Sequence, residues 1–371
     1  MPEWDSGQRE AYLTLALVPG IGFARLGALL ERFETPSGVL AAPLAHLAEV
    51  PGMSPAAATA IQQADHNTGA RAQAELLQLG GRLLLAEDVG FPAALREIPE
   101  PPTCLFAQGR IELLELLAVA IVGSRDHSTY GAEACRCLAR AAAEAGLAVV
   151  SGMARGLDAV AHAGALEAHG ATIGVLGNGF GVIYPAANRQ LYEQVAEQGL
   201  LVTEFPPGER PNAGSFQRRN RLISGLARVT VVVEAAITSG TLQTVACAQE
   251  QGRDVLAVPG PITSPVSAGT NRLIRDGAEP LLELSDLLHH YPELARSADG
   301  GGADPVVPVA PLERRLLTAL HRESLPVERL VALVDAPVAD ALDALSALEL
   351  RGVVAQEGGG RYRLSQDRLF R

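Results

Sequence analysis

Six short apolar runs constrain this chain more than any other feature. They are Val119–Val122, Ala148–Val150, Thr172–Leu176, Leu201–Thr203, Val229–Val233 and Val255–Val258. Such nearly continuous runs, rather than alternating ones, suit strands buried on both faces of a parallel sheet. Alanine-rich stretches lie between them, such as Gly131 to Ala145, and these suit the crossover helices a parallel sheet needs. The pattern predicts an α/β domain, a doubly wound parallel sheet over about residues 80–290.

The flanks differ. Residues 1–75 read as all-helical, with two short turns, Val18-Pro19-Gly20-Ile21-Gly22 and Val50-Pro51-Gly52-Met53-Ser54. Amphipathic runs follow each, Leu26 to Phe33 and Ala56 to Ile61. The spacing resembles paired helix-hairpin-helix turns of SAM-like domains, whose glycines free backbone amides for a DNA phosphate. Ser54 stands where the second copy would have its second glycine, and neither copy has a basic cluster behind it. A helical packing module is therefore the preferred reading of this domain. Residues 295–310 read as a Gly- and Pro-containing linker. Residues 311–371 then predict helices near Leu312–Arg322, Val327–Val334 and Val338–Arg351, and a hairpin from Val353–Gln356 to Arg361–Leu364. That order is a winged helix.

Composition narrows the chemistry. None of the 371 residues is lysine, so all 30 basic residues are arginine. A Walker A loop and Schiff-base chemistry are thereby excluded. Phosphate recognition falls to arginine forks, backbone amides and helix N-termini. The net charge of −12 argues against nucleic acid binding over the whole surface and leaves room for a local basic site. Cys104, Cys135, Cys137 and Cys247 form no paired C-x-x-C knuckles and read as reduced thiols of a cytoplasmic protein. No run of about 18 apolar residues occurs, so no membrane span is expected.

In an open α/β sheet, ligands bind beyond the carboxyl ends of the strands. Here the runs lead into Gly123-Ser124-Arg125, Ser151-Gly152-Met153-Ala154-Arg155-Gly156, Gly177-Asn178-Gly179, Thr238-Ser239-Gly240-Thr241 and Pro259-Gly260. Several small-residue loops on one rim offer unhindered amides for phosphates; the alternative is glycines that serve tight turns only. The segment Ser215-Phe216-Gln217-Arg218-Arg219-Asn220-Arg221 adds cations beside an aromatic ring. Charge for a backbone and a ring for base stacking suit single-stranded nucleic acid, and the alternative is a solvated face.

These motifs together resemble the DNA-processing protein A (DprA, or Smf) family. The likeness rests on Val122 to Arg125 and on Ser151 to Asp158 with Ala161-His162. It continues through Gly177-Asn178-Gly179 with Tyr184-Pro185-Ala186-Ala187-Asn188, and Phe216 with Arg219 to Leu226. Ser239-Gly240-Thr241 and Pro259-Gly260 with Gly269-Thr270-Asn271-Arg272-Leu273-Ile274 complete it. The resemblance implies an extended Rossmann-like core. It also implies a non-enzymatic protein that takes no cofactor, binds and protects single-stranded DNA, and loads the RecA recombinase onto it in natural transformation. A homodimer is implied as well, and single-strand DNA-binding protein is a further expected partner. By the same resemblance Arg125 and the Arg218–Arg221 segment would hold phosphates and Phe216 would contact a base. The expected DNA-binding set is Gly123, Ser124, Arg125, Gly152, Arg155, Gly177, Asn178, Phe216, Arg218, Arg219, Asn220, Arg221, Ser239, Gly240 and Thr241. Asn271, Leu273 and Ile274 would form the dimer and RecA surface. Some family members carry a lysine after the Tyr-Pro, where this chain has Ala186 and Ala187, with Arg189 the nearest cation.

Asp158 and His162 stand four apart on one helix face, where a hydrogen bond at the helix start is preferred to a catalytic pair. The presumed recognition helix of the winged unit, Pro337 to Leu345, carries Asp340 and Asp343, which would repel phosphates; Arg361 and Arg363 in the wing keep DNA open. The competing reading is a LOG-like nucleoside-monophosphate phosphoribohydrolase, whose Gly-Thr-x-x-Glu motif supplies a catalytic carboxylate. Here Gly240-Thr241-Leu242-Gln243 is followed by Thr244, which removes that group.

Overall fold

In the computed structural model, the described residues are 4–294, 310–320, 324–334, 336–351, 353–357 and 360–364. They form two compact units, Met1–Leu282 and Glu283–Arg371. Most of the expected linker, residues 295–309, lies outside the described residues.

The first unit is built on a nine-stranded sheet. Its strands are β1 (Arg82–Leu85), β2 (Cys104–Gly109), β3 (Ala118–Val122), β4 (Ala148–Ser151), β5 (Thr172–Val175), β6 (Leu200–Thr203), β7 (Val229–Val232), β8 (Asp254–Ala257) and β9 (Glu279–Pro280). Their order is β1-β2-β6-β5-β4-β3-β7-β8-β9. From β6 to β9 every pairing is parallel, while β2 joins β6, and β1 joins β2, antiparallel. The six predicted runs are the parallel core. The sequence reading did not identify β1, β2 and β9, which lie at the two edges. β3 pairs with both β4 and β7, through Val119↔Val149 and Val119↔Val229. The chain winds outward from β3 in one direction through β6 and then returns to start β7 on its other side. That reversal opens a crevice beyond the carboxyl ends of β3 and β7.

Residues of β2 alternate between two cores. In β2, Cys104 and Phe106 face one core, and Leu105 and Ala107 the other. The first core also receives the N-terminal helices: Tyr12, Leu13, Leu26, Leu29, Leu47, Ile61 and Leu76 pack with Met153, Leu176, Phe180 and Leu201. Both predicted turns need a left-handed backbone, with φ +83° at Gly20 and +76° at Gly52. Ser54 serves its turn differently from a glycine. Its side chain accepts from the Ala57 amide and caps the helix Pro55–Gln62. Arg25 ties the turns together, donating from Nε to the Gly52 carbonyl (2.9 Å) and from Nη1 to the Gly20 carbonyl (2.5 Å).

The second unit contains helices Pro311–Leu320, Val327–Val334 and Val338–Leu350. A small antiparallel sheet follows from Leu325–Pro326, Val354–Glu357 and Arg361–Leu364, in which Val354 pairs with Leu364. Leu316, Leu330, Leu345, Leu348 and Tyr362 fill its core. This is a winged helix. Gly358 and Gly359, between the two strands of the expected hairpin, lie outside the described residues. Among the described residues, no helix is long and apolar enough to cross a membrane.

Candidate nucleic-acid interface

The crevice at the reversal point is a cavity of about 720 Å³. The loop after β3 (Gly123, Ser124, Arg125) and the loop after β7 (Ser239, Gly240, Thr241) form two of its sides. Phe216, Arg219 and Asn220 of the helix Ala213–Leu226 form a third. A smaller recess adjoins it, lined by Gly152, Arg155, Gly177, Asn178 and Tyr184 and sharing Arg125, Phe216 and Arg219. Thirteen expected DNA-binding positions thus converge, all of the set except Arg218 and Arg221.

Those two face elsewhere. Successive helical residues are about 100° apart, so Arg218 and Arg221 share a face that Arg219 does not. Both pair with Glu204 at the end of β6, Arg218 at 2.8 Å and Arg221 at 2.5 Å, and the Glu204 carboxylate is only 3% exposed. The Arg218 guanidinium also lies over the Phe205 ring, 5.2 Å from its centroid. They line a separate groove beside the first N-terminal turn, with Arg25, Glu75 and Glu209.

Arg219 forms part of the cleft floor and is 4% exposed. Its Nη1 donates to the carbonyls of Gly152 and Val175, and it sits beside the buried carboxyl of Asp158. Burial pushes its pKa down to about 10, against the pull of Asp158. Burial likewise raises the Asp158 carboxyl above its ordinary range, opposed by the charge of Arg219. His162 is buried and pushed down to about 3, again by burial first. Its Nδ1 lies 2.7 Å from the Thr172 hydroxyl, whose hydrogen goes to the Val149 carbonyl. Nδ1 is therefore the donor. Asp158 accepts from the Ala154 amide at its helix start (3.4 Å).

Several polar residues of the expected set hold loops together. The Thr241 hydroxyl donates to the Gly123 carbonyl (2.9 Å), joining the loops after β7 and β3. Ser239 accepts from the Thr241 amide, and Ser124 donates to the Asp126 carbonyl. The Asn178 amide donates to the Gly179 and Val182 carbonyls. The rim glycines are also required by packing. A Cβ would meet the Leu157 side chain at Gly123, Arg219 and Asp158 at Gly152, and the Phe216 ring at Gly177. Gly240 differs, because a Cβ there would enter open space.

Arg125 and Arg155 remain as exposed cations at the mouth, with Asn220 half-buried and Phe216 half-buried beside them. Sequence reasoning left Tyr184 out of the set. It is 49% exposed, and its ring lies 5.4 Å from that of Phe216 at a tilt of 34°. Its place in the Tyr184-Pro185 motif was the available signal. Two further omissions position the rim. Asn188 donates to the Met153 and Ala154 carbonyls (3.0 Å each), and buried Glu234 accepts from the Ser128 amide and hydroxyl. At the other expected surface, Asn271 is turned to the protein, exchanging hydrogen bonds with the Gly260 backbone, and Leu273 packs against the second core. Ile274 is half-buried.

Residues 82–292 match the family described as DNA recombination-mediator protein A. The chain belongs to that family. Residues 303–360 match the DprA winged helix domain. Among DprA relatives, the chain is 32% identical to protein Smf of Synechocystis over 96% of this chain and 99% of the relative. It is 39% identical to Smf of Escherichia coli over 78% and 79%. The structure of DNA processing protein A from Streptococcus pneumoniae superposes with a TM-score of 0.66 at 33% identity, covering 77% of this chain and 98% of that one. DprA from Helicobacter pylori, whose structure is described for its single-stranded DNA binding mode, gives a TM-score of 0.52 at 29% identity, covering 57% and 96%.

Proposed function

We propose that the cleft beyond β3 and β7 binds single-stranded DNA, and that the protein acts as a recombination mediator. In this reading Arg125 and Arg155 hold phosphates at the mouth. A base stacks on the Tyr184–Phe216 pair, and Asn220 and the Gly240 backbone line the path. The observation that carries the reading is that the Tyr184–Phe216 ring pair lines the same recess as two exposed guanidinium groups, those of Arg125 and Arg155. Rings and cations lining one recess serve an unpaired strand, whose bases are free to stack; in a duplex the bases already stack on one another. The described binding mode of the Helicobacter pylori relative supports the same reading.

The finer functions belong to the same proposal: protection of incoming single strands, RecA loading during transformation, a homodimer formed near Ile274, contact with single-strand DNA-binding protein, and action in the cytoplasm. The family description as a recombination mediator supports the recombinase-loading part of it. The test is a titration of oligothymidine and of equal-length duplex at several salt concentrations, beside a RecA strand-exchange assay. Preference for the single strand, lost in Phe216→Ala, is expected. Equal affinity for duplex and single strand, unaffected by that substitution, would defeat the proposal.

A further inference from the structure

The winged-helix unit presents a surface that the DNA-binding reading leaves unused. On the helix Val338–Leu350, Ala341, Leu345 and Leu348 are buried. On its exposed side Val338, Leu342, Ser346 and Leu350 follow at four-residue steps, and the three apolar ones are 57%, 39% and 90% exposed. Residues at that spacing form one inclined ridge, the kind that seats in the groove of a second helix. At 1.5 Å per residue the row runs about 18 Å. Asp340, Asp343 and Glu349 are exposed on the same helix, and no arginine lies between residues 338 and 350.

These charges select the occupant. A DNA duplex would bring phosphates against carboxylates. A second copy related by a twofold axis would oppose the same acids to one another. A partner with apolar side chains at helical spacing and cations beside them meets both features. We propose that the exposed face of Val338–Leu350 docks a basic amphipathic helix of another protein. Leu342 and Leu350 are the apolar anchors, and Asp343 and Glu349 pair with flanking arginine or lysine.

The test uses the full chain and two labelled synthetic peptides of equal length, each an amphipathic leucine helix, one flanked by arginine and the other by glutamate. The arginine peptide is expected to bind roughly tenfold more tightly. The double substitution Leu342→Asp with Leu350→Asp is expected to weaken it roughly tenfold. That variant carries more negative charge, so unspecific attraction to an acidic protein would instead strengthen binding. Both leucines are exposed, so an unchanged melting temperature and unchanged oligothymidine affinity are expected and certify the fold. Equal binding of the two peptides, or binding that survives the substitutions, would overturn the proposal. So would sedimentation showing self-association that the substitutions abolish, or duplex binding lost in the same variant.

Discussion

Arg219 and Arg125 line the same cleft, yet their replacement by alanine is expected to damage different properties. Arg219 is 4% exposed, donates to two buried carbonyls and faces the buried Asp158 carboxyl. Removing one member of a buried charge pair costs about 3–5 kcal/mol, mainly because the other is left without its partner. For a domain of this size each kcal/mol lowers the melting temperature by about 2–4 °C, so Arg219→Ala should lose roughly 6–20 °C. The deficit should also depend on pH. Burial already raises the Asp158 pKa, and the charge of Arg219 is the largest of the influences that hold it down, ahead of hydrogen bonds from Ala154, Ser151 and Gly152. Without that charge the folded-state pKa rises further. A carboxyl with a raised folded pKa favours folding below its unfolded value and loses that contribution as pH rises through the folded one. The deficit is therefore smallest near pH 4 and grows as pH rises above it. Arg125→Ala should leave the melting temperature within about 2 °C, since Arg125 is exposed. It should instead flatten the salt dependence of oligothymidine binding by about 0.7 per lost phosphate contact. Thermal melts across pH and salt titrations of both variants decide the matter. If Arg219→Ala melts like the parent and loses as much salt slope as Arg125→Ala, the buried role assigned to Arg219 is wrong.

Phe216→Ala and Tyr184→Ala should each weaken oligothymidine binding by roughly 5- to 150-fold, the range for one stacked base, with the salt slope kept; a slope that falls as in Arg125→Ala would deny stacking. Gly240→Ala should fold normally because its Cβ meets nothing, and should reduce DNA affinity if the strand approaches that backbone. Gly177→Ala places a methyl against the Phe216 ring, so circular dichroism melts should show it destabilised where Gly240→Ala is not. His162 is neutral when folded, with its pKa pushed down to about 3. Its unfolded form takes up a proton below about pH 6.5, so stability is lost as pH falls from there towards 3. In urea unfolding, the deficit of His162→Asn should shrink along that interval, and a constant deficit would refute the assignment.

The parallel core was legible because strands buried on both faces need continuous apolar runs, and Val119–Val122 or Val229–Val233 have no other economical use. β1 was not, since Arg82-Leu-Leu-Leu is too short to separate from a helical turn by periodicity. The convergence of the rim loops followed from the topology rule. The roles of single residues did not. Arg218, Arg219 and Arg221 look like one basic patch along the chain, but helical phase divides them, and Glu204, which neutralises two of them, comes from a strand in another part of the sequence. The rim glycines read as openings for phosphate; three of them are filled by Leu157, Arg219 with Asp158, and Phe216. Such occupancy depends on tertiary neighbours, which no local pattern encodes. Tyr184 was missed for the same reason, its partner Phe216 lying on a different element.

The N-terminal helices and the sheet bury their side chains in a common interior, from Tyr12 and Leu76 to Leu176 and Leu201. A protease cut or a truncation near residue 78 would strip water-averse surface from both halves at once. Scanning calorimetry should accordingly find residues 1–282 unfolding in one endotherm. Without this helical layer, the apolar side chains of Leu85, Cys104, Phe106 and Leu201 on β1, β2 and β6 would face water.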